Sequence, residues 1–178
     1  MFIAFFLWAG CACADNIGVA IKSADTTLSG NDYVVSADIE YQLSRKANEA
    51  LRNGIPLFWT YHFAVEEQRG YFWNRTIAKK SIPYRIQYHA LLNMYRVKNE
   101  NTGVVDNFSS LEAALDLLST LRDYPLVEKA KLGDAKNYIA KMKITFERDA
   151  LPLPLRPSAY ISPQWYLSSD WFVWPLKK

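Results

Sequence analysis

Two histidines are the residues of this chain best suited to chemistry, because imidazole serves both as a general base and as a zinc ligand. They are His62 and His89. Each falls on the polar phase of an alternating segment, so each is expected to point to solvent from a strand. An envelope hydrolase or a metal-dependent enzyme would require one of them to meet a carboxylate. That enzyme is the alternative hypothesis for function, and two solvated histidines are the simpler interpretation.

Common catalytic signatures are missing from the sequence. Its seven glycines are isolated, so no Gly-rich phosphate loop is formed. It contains no G-x-S-x-G elbow, no S-x-x-K and no H-E-x-x-H. Glu66 and Glu67 are adjacent, so on a strand they point to opposite faces and do not form an acid/base pair. We therefore predict a protein that is not an enzyme, with no catalytic residues, no metal ligands and no stable small-molecule cofactor.

A basic and aromatic stretch is the candidate binding surface. It covers residues 71–97 and reads YFWNRTIAKKSIPYRIQYHALLNMYRV. Arg75, Arg85 and Arg96 are expected to project from one solvent-facing side, with Tyr or Trp rings beside them. The planar guanidinium donates hydrogen bonds in pairs, which suits carboxylate or phosphate partners. A solvated strand face, whose arginines pair with Asp or Glu across strands, is the other interpretation.

The end of the chain is rich in aromatic residues and reads SPQWYLSSDWFVWPLKK. A strand over residues 170–174 would carry aromatic side chains on both faces, as a strand covered on both sides does. Each buried ring removes roughly 150–250 Å² from water, so most of this segment is expected in the core. Trp165 lies in the polar, proline-containing approach and is expected to stay exposed. It therefore joins the three arginines as a candidate partner-binding residue.

Strict alternation of apolar and polar residues predicts antiparallel strands with one solvated face. The four clearest apolar rows lie in residues 33–43, 57–65, 84–90 and 138–146. Shorter strands are expected over residues 17–21, 95–98 and 170–174.

Two segments change to helical spacing. Ser44 is a candidate N-cap and Gly54 a C-terminal stop, which predicts a short helix over residues 45–53. The longer helix is predicted within NFSSLEAALDLLSTLRDYP, where Ser109 caps the first turn and Glu112 completes a capping box. The apolar stripe of this helix consists of Leu111, Ala114, Leu115, Leu118 and Leu121.

A run with four prolines follows Arg148 and is expected to be an extended connection, since proline cannot donate to a central strand. The fold prediction is therefore mainly β. It is an antiparallel β-sandwich, either immunoglobulin-like or a curved double sheet, with about seven or eight strands, one long helix and one short helix. A single domain is predicted over residues 15–178.

The first residues, MFIAFFLWAGCACA, carry no charge and form an apolar block too short to span a bilayer as a helix. Residues 12–14 match the A-x-A pattern of signal peptidase sites, which predicts a signal peptide over residues 1–14 and cleavage before Asp15. Lipoprotein anchoring through Cys11 is the alternative, although Trp8 replaces the usual aliphatic residue. No basic residue precedes the apolar block, and a true start upstream of this Met is an alternative interpretation. Both cysteines lie in this segment, so cleavage after it leaves a mature chain without disulfides.

The composition of the chain limits the classes of partner that the protein is expected to bind. Half of the residues are hydrophobic and 15% are aromatic, which excludes a disordered chain. The net charge is only +3, and Lys and Arg are scattered rather than clustered. Nucleic-acid binding is therefore not expected, since it needs a clustered basic footprint.

Four segments of the sequence follow one another along the chain: DIEYQLSRKANEALRNGIPLFW, YRIQYHALLNMYRV, FSSLEAALDLLSTLRDY and SSDWFVW. With these segments, over about residues 34–174, the chain resembles the Gram-negative bacterial domain-of-unknown-function family numbered 4390. The resemblance implies a single-domain exported protein of unassigned activity, often encoded beside a membrane sensor kinase. It implies no catalytic residues.

The prediction for function is a non-catalytic periplasmic binding or accessory module that acts on a membrane or envelope partner, such as a sensor kinase. A carrier of a small ligand is the third hypothesis for function. It would need a cavity of at least about 300 Å³ between the sheets, and a sandwich filled with aromatic side chains disfavours such a cavity.

Overall fold

Two antiparallel sheets make up the protein, as a computed structural model that describes residues 17–70, 73–133 and 137–177 shows. The described strands are β1 (Gly18–Ser29), β2 (Asp32–Gln42), β3 (Leu57–Glu67), β4 (Arg75–His89), β5 (Met94–Asn99), β6 (Val105–Phe108), β7 (Thr120–Glu128), β8 (Tyr138–Phe146) and β9 (Phe172–Leu176). The described helices are α1 (Arg45–Arg52), α2 (Leu111–Ser119) and α3 (Arg156–Ile161).

One sheet has three strands in the order β1-β2-β7, and the other has six in the order β6-β5-β4-β3-β8-β9. The predicted mainly-β antiparallel sandwich is therefore confirmed, with nine described strands rather than seven or eight. The leader prediction falls on residues 1–14, which lie outside the described residues.

Alternation along the central strands builds the core. In β8, every second side chain from Tyr138 to Phe146 is buried, because a strand turns successive side chains to opposite faces. The adjacent strand β3 buries Trp59 and Tyr61 in the same way. These rows face the three-stranded sheet, and the Tyr41 ring of β2 meets Trp59 edge-on at 5.5 Å between centroids. The core between the sheets is thus largely aromatic.

Helix α1 begins at the predicted residue and ends at Arg52, one residue before the predicted end. The Ser44 hydroxyl accepts a hydrogen bond from the Ala47 backbone N–H at 3.1 Å, which caps the first turn. Gly54 follows the helix with φ +79°, in the left-handed region that a residue with a Cβ adopts at a cost. Its N–H donates to the Leu51 carbonyl, so the helix stops there.

Helix α2 differs from its prediction at both ends. Its N-cap is Ser110, whose hydroxyl accepts from the Ala113 N–H at 3.2 Å, and not Ser109. The helix ends at Ser119 and β7 begins at once, so Leu121 lies in a strand and not on the helical stripe. β7 pairs with β2 and buries Leu121 there, so the third strand of the smaller sheet overrides the helical pattern.

The proline-rich run is not an extended connection. It forms α3, with proline at the second helical position, where no hydrogen-bond donor is needed, and then a short 3-10 turn over Pro163–Trp165. This turn lies beside α1. It places Trp165 against Phe146, with stacked rings 5.9 Å apart. Trp165 is only 2% exposed, so the expectation that it stays exposed is wrong.

The last strand buries one of its faces. Trp174 and Phe172 point toward the core, and the Trp174 indole N–H donates to the Thr26 hydroxyl of β1 at 2.7 Å. Trp171 and Val173 point the other way and are 46% and 51% exposed. The segment is therefore core on its inner side, and the expectation of a strand covered on both faces is wrong.

Candidate functional site

The solvent-facing side of the six-stranded sheet is rich in cationic side chains. We call it the outer face. It consists of the side chains of β3, β4, β5 and β8 that alternate with the buried rows. Its paired positions carry six cations and one acid among the described residues. These are Lys79, Arg85, Arg96, Lys98, Lys141 and Lys143, with Glu66 as the acid. A second acid, Glu100, lies just beyond the end of β5 and ion-pairs with both Arg85 and Lys98.

Two of the predicted arginines lie on the outer face. Arg85 pairs with Lys98 in the strand ladder, and Arg96 pairs with Gln87, so both project to the same side. The Arg85 Nε lies 3.0 Å from the Glu100 carboxylate, and the Arg96 Nε donates to the Asn107 side chain at 3.1 Å. The structure brings these two arginines together on one surface.

Arg75 lies on the opposite face, so the expectation that three arginines share one side is wrong. A β-bulge between Val65 and Glu66 of β3 leaves one extra residue, Ile77, in β4. One extra residue inverts the alternation, because side chains on a strand repeat every second position. Arg75 therefore pairs with Glu67 on the core side of the sheet end, where its Nε lies 3.1 Å from that carboxylate.

His62 lies near the centre of the outer face. In the strand ladder it sits between Ser81 of β4 and Lys143 of β8. A groove of about 580 Å³ runs along this part of the face. The groove is lined by His62, Phe63, Ala64, Glu66, Lys79, Lys80, Ser81, Lys141, Lys143, Thr145 and Trp171.

The groove exists because a small residue lies between larger ones. Ala64 follows His62 on the outer side of β3 and pairs with Lys79 on one flank and Lys141 on the other. Only 3% of Ala64 is exposed, so it forms the floor. The two lysine stems rise beside it, as long cationic side chains do when their apolar stems cover a surface.

The single acid of the groove is already engaged. Lys141 lies 2.5 Å from the Glu66 carboxylate, and its ammonium lies 4.9 Å from the centre of the Trp171 ring. The hydrogen bond from Lys141 lowers the pKa of Glu66, a hydrogen bond from Asn74 lowers it further, and the charge of nearby Lys79 adds to the effect. Glu66 therefore stays ionised and forms a neutral pair with Lys141 at this end of the groove.

The remaining lysines differ in what they contact. Lys80 donates to the Pro125 carbonyl at 2.7 Å, away from the groove floor. No carboxylate of the described residues lies within ion-pair distance of Lys79 or Lys143. Lys79 and Lys143 thus have no carboxylate in ion-pair contact, and we call them uncompensated in this sense.

The geometry separates the two histidines from each other and separates His62 from Glu66. His62 pairs with Ser81, and His89 lies eight residues further along β4, about 26 Å away at the usual rise per residue. Glu66 lies four residues along β3 from His62, about 13 Å, and is bound by Lys141. The described residues contain no group of three or more His, Cys, Asp or Glu side chains able to hold a metal ion.

A second groove, of about 830 Å³, lies between α1 and the start of α2. Arg45 and Arg52 line it together with Glu49 and Glu112, so its charges balance. The Arg45 Nε lies 2.9 Å from the Glu49 carboxylate. Because it has no excess of either charge, this groove is a weaker candidate for a charged ligand.

The sequence analysis did not predict that the residues of the groove form a site. Alternation does place His62, Lys141 and Lys143 on polar phases of their strands, which was the available signal. The pairing of β3 with β8 joins positions about eighty residues apart, and no local pattern specifies it. Lys79 and Lys143 therefore appear together only in the folded chain.

The fold and the outer face define an antiparallel β-sandwich with one basic sheet surface, and none of its described helices is long and apolar enough to span a bilayer. The chain belongs to the family described as a domain of unknown function, DUF4390, whose model matches residues 17–175. This confirms the resemblance found in the sequence. No curated protein and no solved structure is significantly similar to the chain.

Proposed function

We propose that this protein is an exported, periplasmic binding module that is not catalytic and that acts on a membrane or envelope partner, such as a sensor kinase. The observation that carries the proposal is the excess of six cations over two acids, Glu66 and Glu100, on the outer face. Export is supported by the apolar leader with its A-x-A site in residues 1–14. A sensor kinase as partner is supported by what the family resemblance implies.

The outer face fits an acidic surface on the partner. Arg85 and Arg96 project from neighbouring strands and are half-buried, so their guanidinium groups are held in place by the sheet. Arginine is enriched at the energetic centres of protein interfaces, where it donates several hydrogen bonds at once. Complementary charge increases the rate of encounter and excludes partners of the wrong sign.

Capture of the partner tests this function. The tagged protein is expressed in its native host, crosslinked in the living cell and recovered from the envelope fraction. We expect an integral membrane protein with an acidic periplasmic surface, and its recovery without crosslinking should fall as salt rises. Repeated recovery of no membrane protein contradicts the proposal.

A matched pair of variants locates the contact. Arg85→Gln combined with Arg96→Gln removes two charges from the outer face, and we expect the partner to be lost. Lys46→Gln combined with Lys129→Gln removes two charges from exposed positions elsewhere, and we expect the partner to be retained. Equal recovery with both double variants would place the interface away from this face.

Export itself has a separate test. Cell fractionation should find the protein in the periplasm, and N-terminal sequencing of the purified protein should begin at Asp15. A lipid on Cys11, detected by mass spectrometry, would favour the anchored form. An intact leader on a protein confined to the cytosol contradicts export.

A further inference from the structure

We propose that the groove around His62 binds the phosphate group of an organic phosphate monoester, held between Lys79 and Lys143. This site goes beyond the proposed function, because it takes a small anionic group and is assayed without any protein partner. Its elements are two uncompensated ammonium groups, an imidazole and two hydroxyls, all on one face of three neighbouring strands.

The positions of the two lysines suit one shared anion. Lys79 pairs with Ala64, and Lys143 pairs with His62, so the lysines lie diagonally across β3. Two strand spacings and two residue steps separate their Cα atoms by about 12 Å. Each flexible four-carbon stem can lean inward over the Ala64 floor, so both ammonium groups can contact the same group.

Charge selects phosphate over carboxylate. The two uncompensated lysines carry a charge of about +2, and a phosphate monoester carries about −1.5 to −2 near neutral pH. A single carboxylate would neutralise only one of them. Phosphate also offers three strong acceptor oxygens, and Ser81, Thr145 and His62 line the groove with groups that can donate to them.

The rim of the groove indicates an organic substituent on the phosphate. The Trp171 ring is 46% exposed and lies above Lys141, at the end of the groove that Glu66 occupies. A large aromatic face beside a cationic groove offers apolar contact to the organic part of a ligand. Glu66 lies at the same end and disfavours a second anionic group there.

The proposal is tested with the purified protein and three small probes at fixed low salt. The probes are phenyl phosphate, benzoate and inorganic phosphate, and their binding is followed by calorimetry and by amide NMR shifts. We expect phenyl phosphate to bind at least about tenfold more tightly than benzoate, because it makes more charge-assisted hydrogen bonds. The largest NMR shifts should fall on His62, Ser81 and Thr145. Equal affinity for the two aromatic probes, or shifts confined to other faces, overturns the proposal.

Variants assign the binding to the two lysines. Lys79→Met and Lys143→Met should each weaken phenyl phosphate binding at least about fivefold, because each removes one of the two uncompensated charges. Lys46→Met removes one charge from an exposed position on α1 and should leave the affinity unchanged. All three variants should keep the urea midpoint of the parent, which separates loss of the site from loss of the fold. A folded Lys79→Met or Lys143→Met variant with parental affinity contradicts the assignment.

Two further arms identify the source of the phosphate. Trp171→Ala should lower the affinity for phenyl phosphate and leave that for inorganic phosphate unchanged, and unchanged affinity for both overturns the assignment of an ester. Vesicles containing phosphatidic acid should bind the protein through the same lysines if the ester is a lipid headgroup. Binding of phenyl phosphate without such vesicle binding assigns a soluble ester instead. A poly-glutamate peptide that binds more tightly than phenyl phosphate would overturn the site in favour of protein docking.

Discussion

The hydroxyl of Tyr41 lies 2.5 Å from the hydroxyl of Tyr61, and Tyr61 in turn donates to the Leu118 carbonyl at 2.6 Å. A tyrosine hydroxyl has one proton, so the donor between the two rings is Tyr41. This short relay joins β2 in one sheet to β3 in the other and then to the last turn of α2. It satisfies a helix carbonyl that has no partner within the helix.

The relay predicts unequal effects of two similar substitutions. Tyr61→Phe leaves the Leu118 carbonyl and the Tyr41 hydroxyl without their partners, so we expect a loss of about 1–3 kcal/mol in the free energy of unfolding. Tyr41→Phe removes only the outer hydrogen bond and should cost about 0.5–1.5 kcal/mol. Urea denaturation measures both. Tyr166→Phe, at an exposed ring, is the control and should leave the midpoint unchanged. Equal losses for the two relay variants would contradict the direction of the hydrogen bonds.

The same pair predicts a loss of stability at alkaline pH. Burial raises the pKa of Tyr41 and of Tyr61 well above the ordinary tyrosine value of about 10, so both stay protonated in the folded chain. In the unfolded chain they lose their protons near pH 10, which stabilises the unfolded state. Their contribution is therefore complete below about pH 10, and stability falls above it by up to about 1.4 kcal/mol per pH unit for each group. A protein with Phe at both positions should lose stability less steeply between pH 10 and 11, and an identical slope would contradict this account.

The parts of the fold that sequence predicted are those that depend on local patterns. The strand from Tyr138 to Phe146 has the predicted bounds, because five buried and four half-buried residues alternate without interruption. The cap at Ser44 and the stop at Gly54 are likewise local, since each satisfies backbone groups within a few residues.

The parts that sequence missed depend on distant pairing. The predicted helical stripe continues to Leu121, but β2 pairs with Thr120–Glu128 as a strand. The extra residue Ile77 reverses the side on which Arg75 lies, and nothing in the alternation of β4 marks that position. Trp165 is buried because α3 and a 3-10 turn fold back toward α1, which its polar neighbours did not indicate.

The position of the α2 cap gives a direct test of one corrected prediction. Ser110 accepts a hydrogen bond from the first turn, whereas its neighbour Ser109 is exposed. Ser110→Ala should lower the free energy of unfolding by about 1 kcal/mol, the usual effect of losing an N-cap. Ser109→Ala is the matched control and should have little effect in the same urea titration. A larger loss for Ser109→Ala would restore the cap predicted from sequence.

The paired serines before β9 are expected to matter more than their position in an irregular segment suggests. Ser169 accepts a hydrogen bond from the Ile144 N–H at 2.9 Å, and Ser168 accepts one from the Phe146 N–H at the same distance. Their hydroxyls thus complete the edge of β8 where no strand pairs with it. Ser169→Ala should cost about 1–3 kcal/mol, because a buried backbone donor is left unpaired. Exposed Ser29→Ala is the control, and equal urea midpoints for the two variants would show that water replaces the hydroxyl.

The bond between Trp174 and Thr26 predicts how the last strand holds the two sheets together. The indole N–H of Trp174 donates to the Thr26 hydroxyl at 2.7 Å, and both residues are buried. Thr26→Val keeps the shape of the side chain but removes the acceptor, so the buried indole N–H loses its partner at a cost of about 1–3 kcal/mol. Thr26→Ser retains the hydroxyl and should cost less, while Thr27→Val, at the exposed neighbour on the same strand, should leave the free energy of unfolding unchanged or raise it slightly. If Thr26→Val proves as stable as the parent in urea, the hydrogen bond does not stabilise the contact between β1 and β9, and packing of the Trp174 ring alone must hold the strand.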